Sequence, residues 1–88
     1  MLIAKTDNNQ KECVTALRNA GASVVLLHAV GRGVPDLLVG FHGRNYMVEV
    51  KSQIGKLTPA QTKWQASWHG QYAVVRNWSE ALRLILPH

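Results

Sequence analysis

Apolar positions along this chain switch between two periods, and the switches mark its elements. From about Asp7 to Asn19, Cys13, Val14, Ala16 and Leu17 recur at helical spacing and Gly21 supplies a stop, which predicts an amphipathic helix. Ser23-Val24-Val25-Leu26-Leu27-His28 is continuous and rich in β-branched residues, the pattern of a strand buried on both faces. Gly31-Arg32-Gly33 then reads as a flexible connection. Leu37 to Phe41 and Tyr46 to Val48 are apolar runs flanking His42-Gly43-Arg44-Asn45, which predicts strand, tight turn, strand. Ser52 to Lys56 is loop. Thr58 and Pro59 supply the N-cap and first-turn proline of a helix running to about His69, ended by Gly70. Gln71 to Val75 is a further strand, and Ser79 caps a last helix from Glu80 to Leu86. Helix, three strands, helix, strand, helix predicts an α/β domain: a central mixed four-stranded sheet flanked by helices. Pro35 belongs at a strand start, where its missing N–H does least harm. Neither repeats nor a linker divide the chain, so residues 1–88 read as one domain.

Composition narrows the class. A chain of 88 residues has a marginal core, so pairing with a second chain is an expectation from size alone. A hydrophobic content of 47% argues against disorder, and no apolar run approaches the roughly 20 residues of a membrane span. Met1-Leu2-Ile3-Ala4-Lys5 lacks the basic start and long apolar stretch of a secretory signal, and the single Cys13 precludes an internal disulfide. A soluble cytoplasmic protein is expected. The net charge of +5 suits a polyanionic partner such as nucleic acid, although a basic balance of this size is also common in small soluble proteins. Motifs must decide.

The hairpin brings chemistry together. If His42-Gly43 is a two-residue loop, Phe41 pairs with Arg44 and Asp36 lies across from Glu49; if the loop centre is Gly43-Arg44, Asp36 lies across from Lys51 with Glu49 on the diagonal. Either register clusters Asp36, Glu49 and Lys51. Opposed residues on neighbouring strands have Cβ atoms roughly 4.5–5.5 Å apart, where two carboxylates repel unless a cation sits between them. Alternation turns Met47, Glu49 and Lys51 to one face and Val48 and Val50 to the other, leaving the Val50 carbonyl as a possible further ligand. Hard oxygen donors of this kind suit Mg²⁺, with Mn²⁺ as a substitute, and not zinc. His28, His42, His69 and His88 are dispersed and form no zinc spacing.

Pro35-Asp36 followed by Glu49-x-Lys51 resembles the nuclease motif PD-(D/E)xK. The longer run is similar to the virus-type replication-repair nuclease (VRR-NUC) branch of that superfamily. It comprises Gly31-Arg32-Gly33-Val34-Pro35-Asp36-Leu37-Leu38-Val39, Val48-Glu49-Val50-Lys51, Gly55-Lys56-Leu57-Thr58-Pro59-Ala60-Gln61-x-x-Trp64 and Ala73-Val74-Val75-Arg76. The bare carboxylate pattern arises easily by chance; the ordered run, over roughly two-thirds of the chain, is far more specific. The resemblance implies a Mg²⁺-dependent DNA endonuclease in which Asp36 and Glu49 hold the metal, with the Val50 carbonyl, and Lys51 orients or deprotonates the attacking water. Gln61 matches the glutamine of the Gln-x-x-Trp segment, as a group orienting water, Lys51 or phosphate. Glu12 lies where related nucleases often carry a metal-associated glutamate, with a surface carboxylate as the alternative. Arg32, Lys56, Lys63 and Arg76 flank the centre as phosphate contacts or as ordinary solubilising charge. Archaeal-type junction resolvases tend to place a serine where this chain has Arg32.

Stand-alone members of the family resemble Holliday junction resolvases, which implies a homodimer acting on branched DNA in phage recombination, replication or repair. The last helix, through Leu82, Leu84, Ile85 and Leu86, or the Trp64/Trp68 face is the expected pairing surface. Trp64 and Trp68, four apart, otherwise suit core packing or base stacking. A monomeric flap or single-strand nuclease and a catalytically inactive DNA-binding module are the competing readings.

Overall fold

The computed structural model describes residues 4–87, with side chains from Asn8 onward; Met1 to Ile3 and His88, which entered the reading of the chain start and the dispersed histidines, lie outside the described residues. Seven elements occur in the predicted order: α1 (Ala4–Asn19), β1 (Ser23–Leu26), β2 (Leu37–Phe41), β3 (Arg44–Val50), α2 (Pro59–Ser67), β4 (Tyr72–Val75) and α3 (Trp78–Ile85). The four strands form one sheet in the order β1-β2-β3-β4, antiparallel across the first two pairs and parallel between β3 and β4.

Local chemistry explains the element ends. Helix α1 closes with paired bonds from the Gly21 amide to the Arg18 carbonyl (3.0 Å) and from the Ala22 amide to the Leu17 carbonyl (3.0 Å), and buried Ala22 joins buried Leu17 in the core. The hairpin between β2 and β3 is a two-residue turn at His42 (φ 50°) and Gly43 (φ 79°), the pair of positive angles that matches strand twist. Phe41 therefore pairs with Arg44 and Leu37 with Val48, which selects the first of the two registers.

One face of the sheet carries the core. Val24, Leu37, Val39, Tyr46, Val48, Val50 and Val75 pack against Cys13, Val14 and Leu17 of α1 and Ala81 and Ile85 of α3. Leu17, Leu37, Val39 and Val48 are fully buried, so truncating any of them to alanine costs about 1–5 kcal/mol, a large part of what a domain this small possesses. Helix α2 lies towards the opposite face, where Trp64 meets Tyr72 with ring centroids 6.0 Å apart, yet it buries no residue of its own.

Four boundaries or burials differ from the pattern-based reading. Strand β1 is not buried on both faces: Val24 is buried, but Val25 is 52% exposed and Leu26 44% exposed, because β1 is a sheet edge whose second face has no helix over it. Helix α2 ends at Ser67 with Trp68 as its cap, before the expected His69. Helix α3 is capped by Asn77, whose side chain accepts from the Glu80 amide at 2.8 Å, so Ser79 lies inside the first turn. Strand β3 starts at Arg44, directly after the two-residue turn.

Candidate active site

The register places Asp36, one residue before β2, level with Glu49 on β3. Both lie on the sheet face opposite the core, as does Lys51 one step beyond the strand end. Backbone bonds hold this arrangement. The Leu27 amide donates to the Asp36 carbonyl at 2.7 Å, and Asp36 Oδ2 accepts the Val50 amide at 2.8 Å, so the carboxylate is fixed by the neighbouring strand. The Lys51 amide continues the parallel ladder by donating to the Val75 carbonyl at 3.0 Å.

Among the described residues Glu49 is the buried charged one, at 2% exposure. Gln61 Nε2 donates to Glu49 Oε2 at 3.1 Å, while Gln61 Oε1 accepts from the Thr58 amide and the Gln61 amide donates to Thr58 Oγ1. The capping box that starts α2 thus also positions the carboxylate. Burial pushes the Glu49 carboxyl up to about 8; the Asp36 charge and a hydrogen bond shared with Asp36 push the same way, and Lys51 opposes them. Burial and the two carboxylates also raise the Tyr72 phenol.

These groups open onto a cleft of about 730 Å³ lined by Asp36, Glu49, Val50, Lys51 and Gln61 together with Gln10, Lys11, Leu26, His28, Ser52 and Gly55. Val50 has its side chain in the core, so what it offers the cleft is backbone. The buried Glu49 and the half-buried Asp36 form a pair of hard-oxygen donors, and a divalent cation between them would neutralise the repulsion that helps raise Glu49. The residues fit Mg²⁺ or Mn²⁺ retaining several waters.

Other anticipated residues fall elsewhere. Glu12 is exposed on α1 and lines a separate groove with Lys11, Thr15, Ala16, Asn19 and Trp78; among the described residues no three His, Cys, Asp or Glu side chains gather, so Glu12 does not join the pair. Helix phase turns Gln10 and Lys11 to the cleft instead. Arg32, Lys56 and Lys63 are exposed but outside the cleft lining, and Arg32 holds a left-handed backbone (φ 57°). Arg76 is half-buried, with Nη1 donating to the carbonyls of Ser52 (2.7 Å) and Gly55 (2.6 Å). Sequence reasoning passed over Gln10, Lys11, His28 and Ser52. The signal for Gln10 and Lys11 was their position one turn before the buried Cys13-Val14 pair; for His28 and Ser52 it was adjacency to the strand ends that frame the carboxylates.

A solved structure described as a VRR_NUC domain matches this one with a TM-score of 0.77 and 29% sequence identity, over 91% of this chain and 92% of that chain. No family model matches the sequence, and no curated protein matches it. That structure agrees with this chain along nearly its whole length, and the sheet brings Asp36, Glu49 and Lys51 together with Gln61 reaching Glu49 from α2. The match supports the VRR-NUC resemblance that the ordered run carries.

Proposed function

We propose that the protein is a Mg²⁺-dependent, structure-selective DNA endonuclease that hydrolyses phosphodiester bonds in branched DNA. It would act as a homodimer in the manner of a Holliday junction resolvase, in phage recombination, replication or repair in a bacterial cytoplasm. The observation that carries this reading is Glu49: a carboxylate buried to 2% exposure, set beside a second carboxylate, gripped by Gln61 and facing an open cleft. Such an arrangement works against folding unless a cation and an anionic substrate use it.

In this mechanism Asp36 and Glu49, with the Val50 carbonyl, would hold the metal. A bound divalent ion supplies Lewis-acid polarisation of a phosphoryl oxygen and a water of lowered pKa. Lys51 orients or deprotonates the attacking water and offsets the negative charge that develops on the phosphoryl oxygens. Gln61 keeps Glu49 in one rotamer. Lys11, at the cleft wall, and the exposed Arg32, Lys56 and Lys63 hold the DNA backbone through phosphate contacts. Among the described residues no helix is long and apolar enough to cross a membrane.

The homodimer draws support from where the apolar surface is left over. Ala81 and Ile85 of α3 are spent on the protein's own core and Leu84 packs against it, which leaves Trp78 at its start and Leu86 at its cap as separated exposed apolar residues. Trp64 and Trp68 stack with ring centroids 4.9 Å apart beside a sheet face that leaves Val25 exposed, and that side suits a second copy better.

The test is cleavage of a labelled four-way junction beside linear duplex, flap and single-stranded DNA, with Mg²⁺, Mn²⁺ or EDTA, comparing wild type with Asp36→Asn. Symmetric junction cutting that needs metal and Asp36 is the expected result. Cutting of flaps or single strands by a protein that sediments as a monomer keeps the chemistry and removes the resolvase reading. Binding without cleavage of any substrate removes the nuclease reading.

A further inference from the structure

We infer that Arg76 and Asn9 are positioning residues for Lys51, a clamp on the backbone and stem of that lysine and not contacts to DNA. The inference rests on the role proposed above for Lys51. Lys51 stands just past the end of β3, where the strand ladder gives out after the Lys51 amide. Three bonds take over. The Lys51 amide donates to the Val75 carbonyl, and Asn9 Nδ2, from α1, donates at 3.0 Å both to the Lys51 carbonyl and to the Arg76 carbonyl. The peptide on either side of the Lys51 Cα is therefore pinned.

The guanidinium completes the device. Both Nη1 hydrogens of Arg76 are used, one on the Ser52 carbonyl and one on the Gly55 carbonyl, and the Gly55 amide donates back to the Ser52 carbonyl at 3.2 Å. The two guanidinium bonds are short and charge-assisted, the strong kind. They close residues 52–55 into a fixed turn beside the lysine stem: a Cβ built on Gly55 would lie 3.7 Å from Lys51 Cδ and 2.9 Å from Ser52 Oγ. The turn is a wall that restricts where the Lys51 chain can swing. Arg76 is itself set from behind, its amide donating to Glu80 Oε1 at 2.7 Å. A flexible four-carbon stem needs such a wall if its amine is to meet a water at one point, and a displacement of about 1 Å there costs on the order of 100-fold in rate.

The test compares wild type with Arg76→Ala, Arg76→Lys and Asn9→Ala in the full chain. Readouts are kcat and KM on whichever DNA the wild type cuts, affinity for that DNA with Ca²⁺ in place of Mg²⁺, and amide hydrogen exchange. A clamp predicts a kcat loss of about 100-fold in Arg76→Ala with KM and DNA affinity unchanged, and faster exchange confined to residues 52–55. Arg76→Lys keeps the charge, but its nitrogen ends one bond short of the Nη1 position that meets both carbonyls, so it should behave like the alanine variant. Wild-type kcat in Arg76→Lys overturns the inference, as does weakened DNA binding at full kcat in Arg76→Ala, which would assign the guanidinium to a phosphate. If Arg76→Ala fails to fold, Asn9→Ala decides: a kcat loss at constant KM supports the clamp, and wild-type kinetics overturn it. If the wild type cuts no DNA, the nuclease reading falls separately. Exchange then decides the clamp, acceleration at 52–55 supporting it and its absence sinking it.

Discussion

Gln61 joins the start of α2 to Glu49 through one side chain: its amide nitrogen reaches Glu49 Oε2 at 3.1 Å, and its amide oxygen takes the Thr58 N–H at 2.9 Å. The two tasks separate by substitution. Gln61→Ala removes both bonds and should cost about 0.5–1.5 kcal/mol of stability by thermal melting, together with most of the cleavage rate. Gln61→Glu can still accept from Thr58 but sets a third carboxylate against Glu49. It should keep the helix start and lose activity. Near-wild-type cleavage by Gln61→Glu would show that Glu49 needs no donor there.

The pH dependence of the metal-free protein has a fixed sign. The folded state binds the Glu49 proton more tightly than the unfolded chain, about 8 against an ordinary 4.5. Its contribution to stability is fully present below about 4.5 and is lost as pH rises through about 8. Melting temperature in EDTA should therefore fall over that window. Added Mg²⁺, which requires the ionised pair, should raise the melting temperature more at about pH 8.5 than at about pH 6. Glu49→Gln should flatten both trends, and a Mg²⁺ effect in that variant equal to wild type would place the metal elsewhere.

Gly33 faces the first turn of α2 at close range. A Cβ there would sit 2.3 Å from the Ala60 carbonyl oxygen, and the backbone is left-handed at φ +81°. Gly31 shares the sign of φ (+74°) but has nothing within 4 Å. Gly33→Ala should destabilise by about 1–3 kcal/mol, displace α2 and disturb the Gln61–Glu49 contact, whereas Gly31→Ala should cost about 1 kcal/mol. Chemical denaturation of the two variants checks this, and equal losses would refute the close approach.

Cys13 lies buried in the α1–α3 seam with its thiol pushed up to about 11, by burial first and then by the charges of Glu12 and Glu80. Alkylation at neutral pH should be slow in the folded protein and fast in denaturant. Rapid labelling under native conditions would mean that the seam opens readily.

Much of this architecture was legible because it depends on local chemistry. A two-residue His42-Gly43 turn between apolar runs leaves few registers, and either of those available brings Asp36, Glu49 and Lys51 together. Thr58-Pro59 announced α2 in the same way. What was not legible depends on neighbours far away in the chain. A continuous apolar run such as Ser23 to His28 looks the same at a sheet edge as at its centre. Asn77 and Ser79 are both good caps, and the choice between them goes with the Glu80 carboxylate, which also accepts from the Arg76 amide. The charge of Arg76 did not reveal that its guanidinium turns inward onto carbonyls. Glu12 and Lys11 are adjacent in sequence, yet only Lys11 reaches the cleft, since helix phase is set by which residues the core claims.

Helix α2 buries no side chain, and what fastens it is concentrated in its first half: the Thr58 cap, Gln61 on Glu49, the backbone of Ala60 against Gly33, and Trp64 near Tyr72. Its second half, from Gln65 onward, carries almost no obligation to the hydrophobic interior. Substitutions in that stretch should therefore leave both the Glu49 contact and the core intact. In this helix the groups that hold its neighbours sit at one end and tolerance of change at the other.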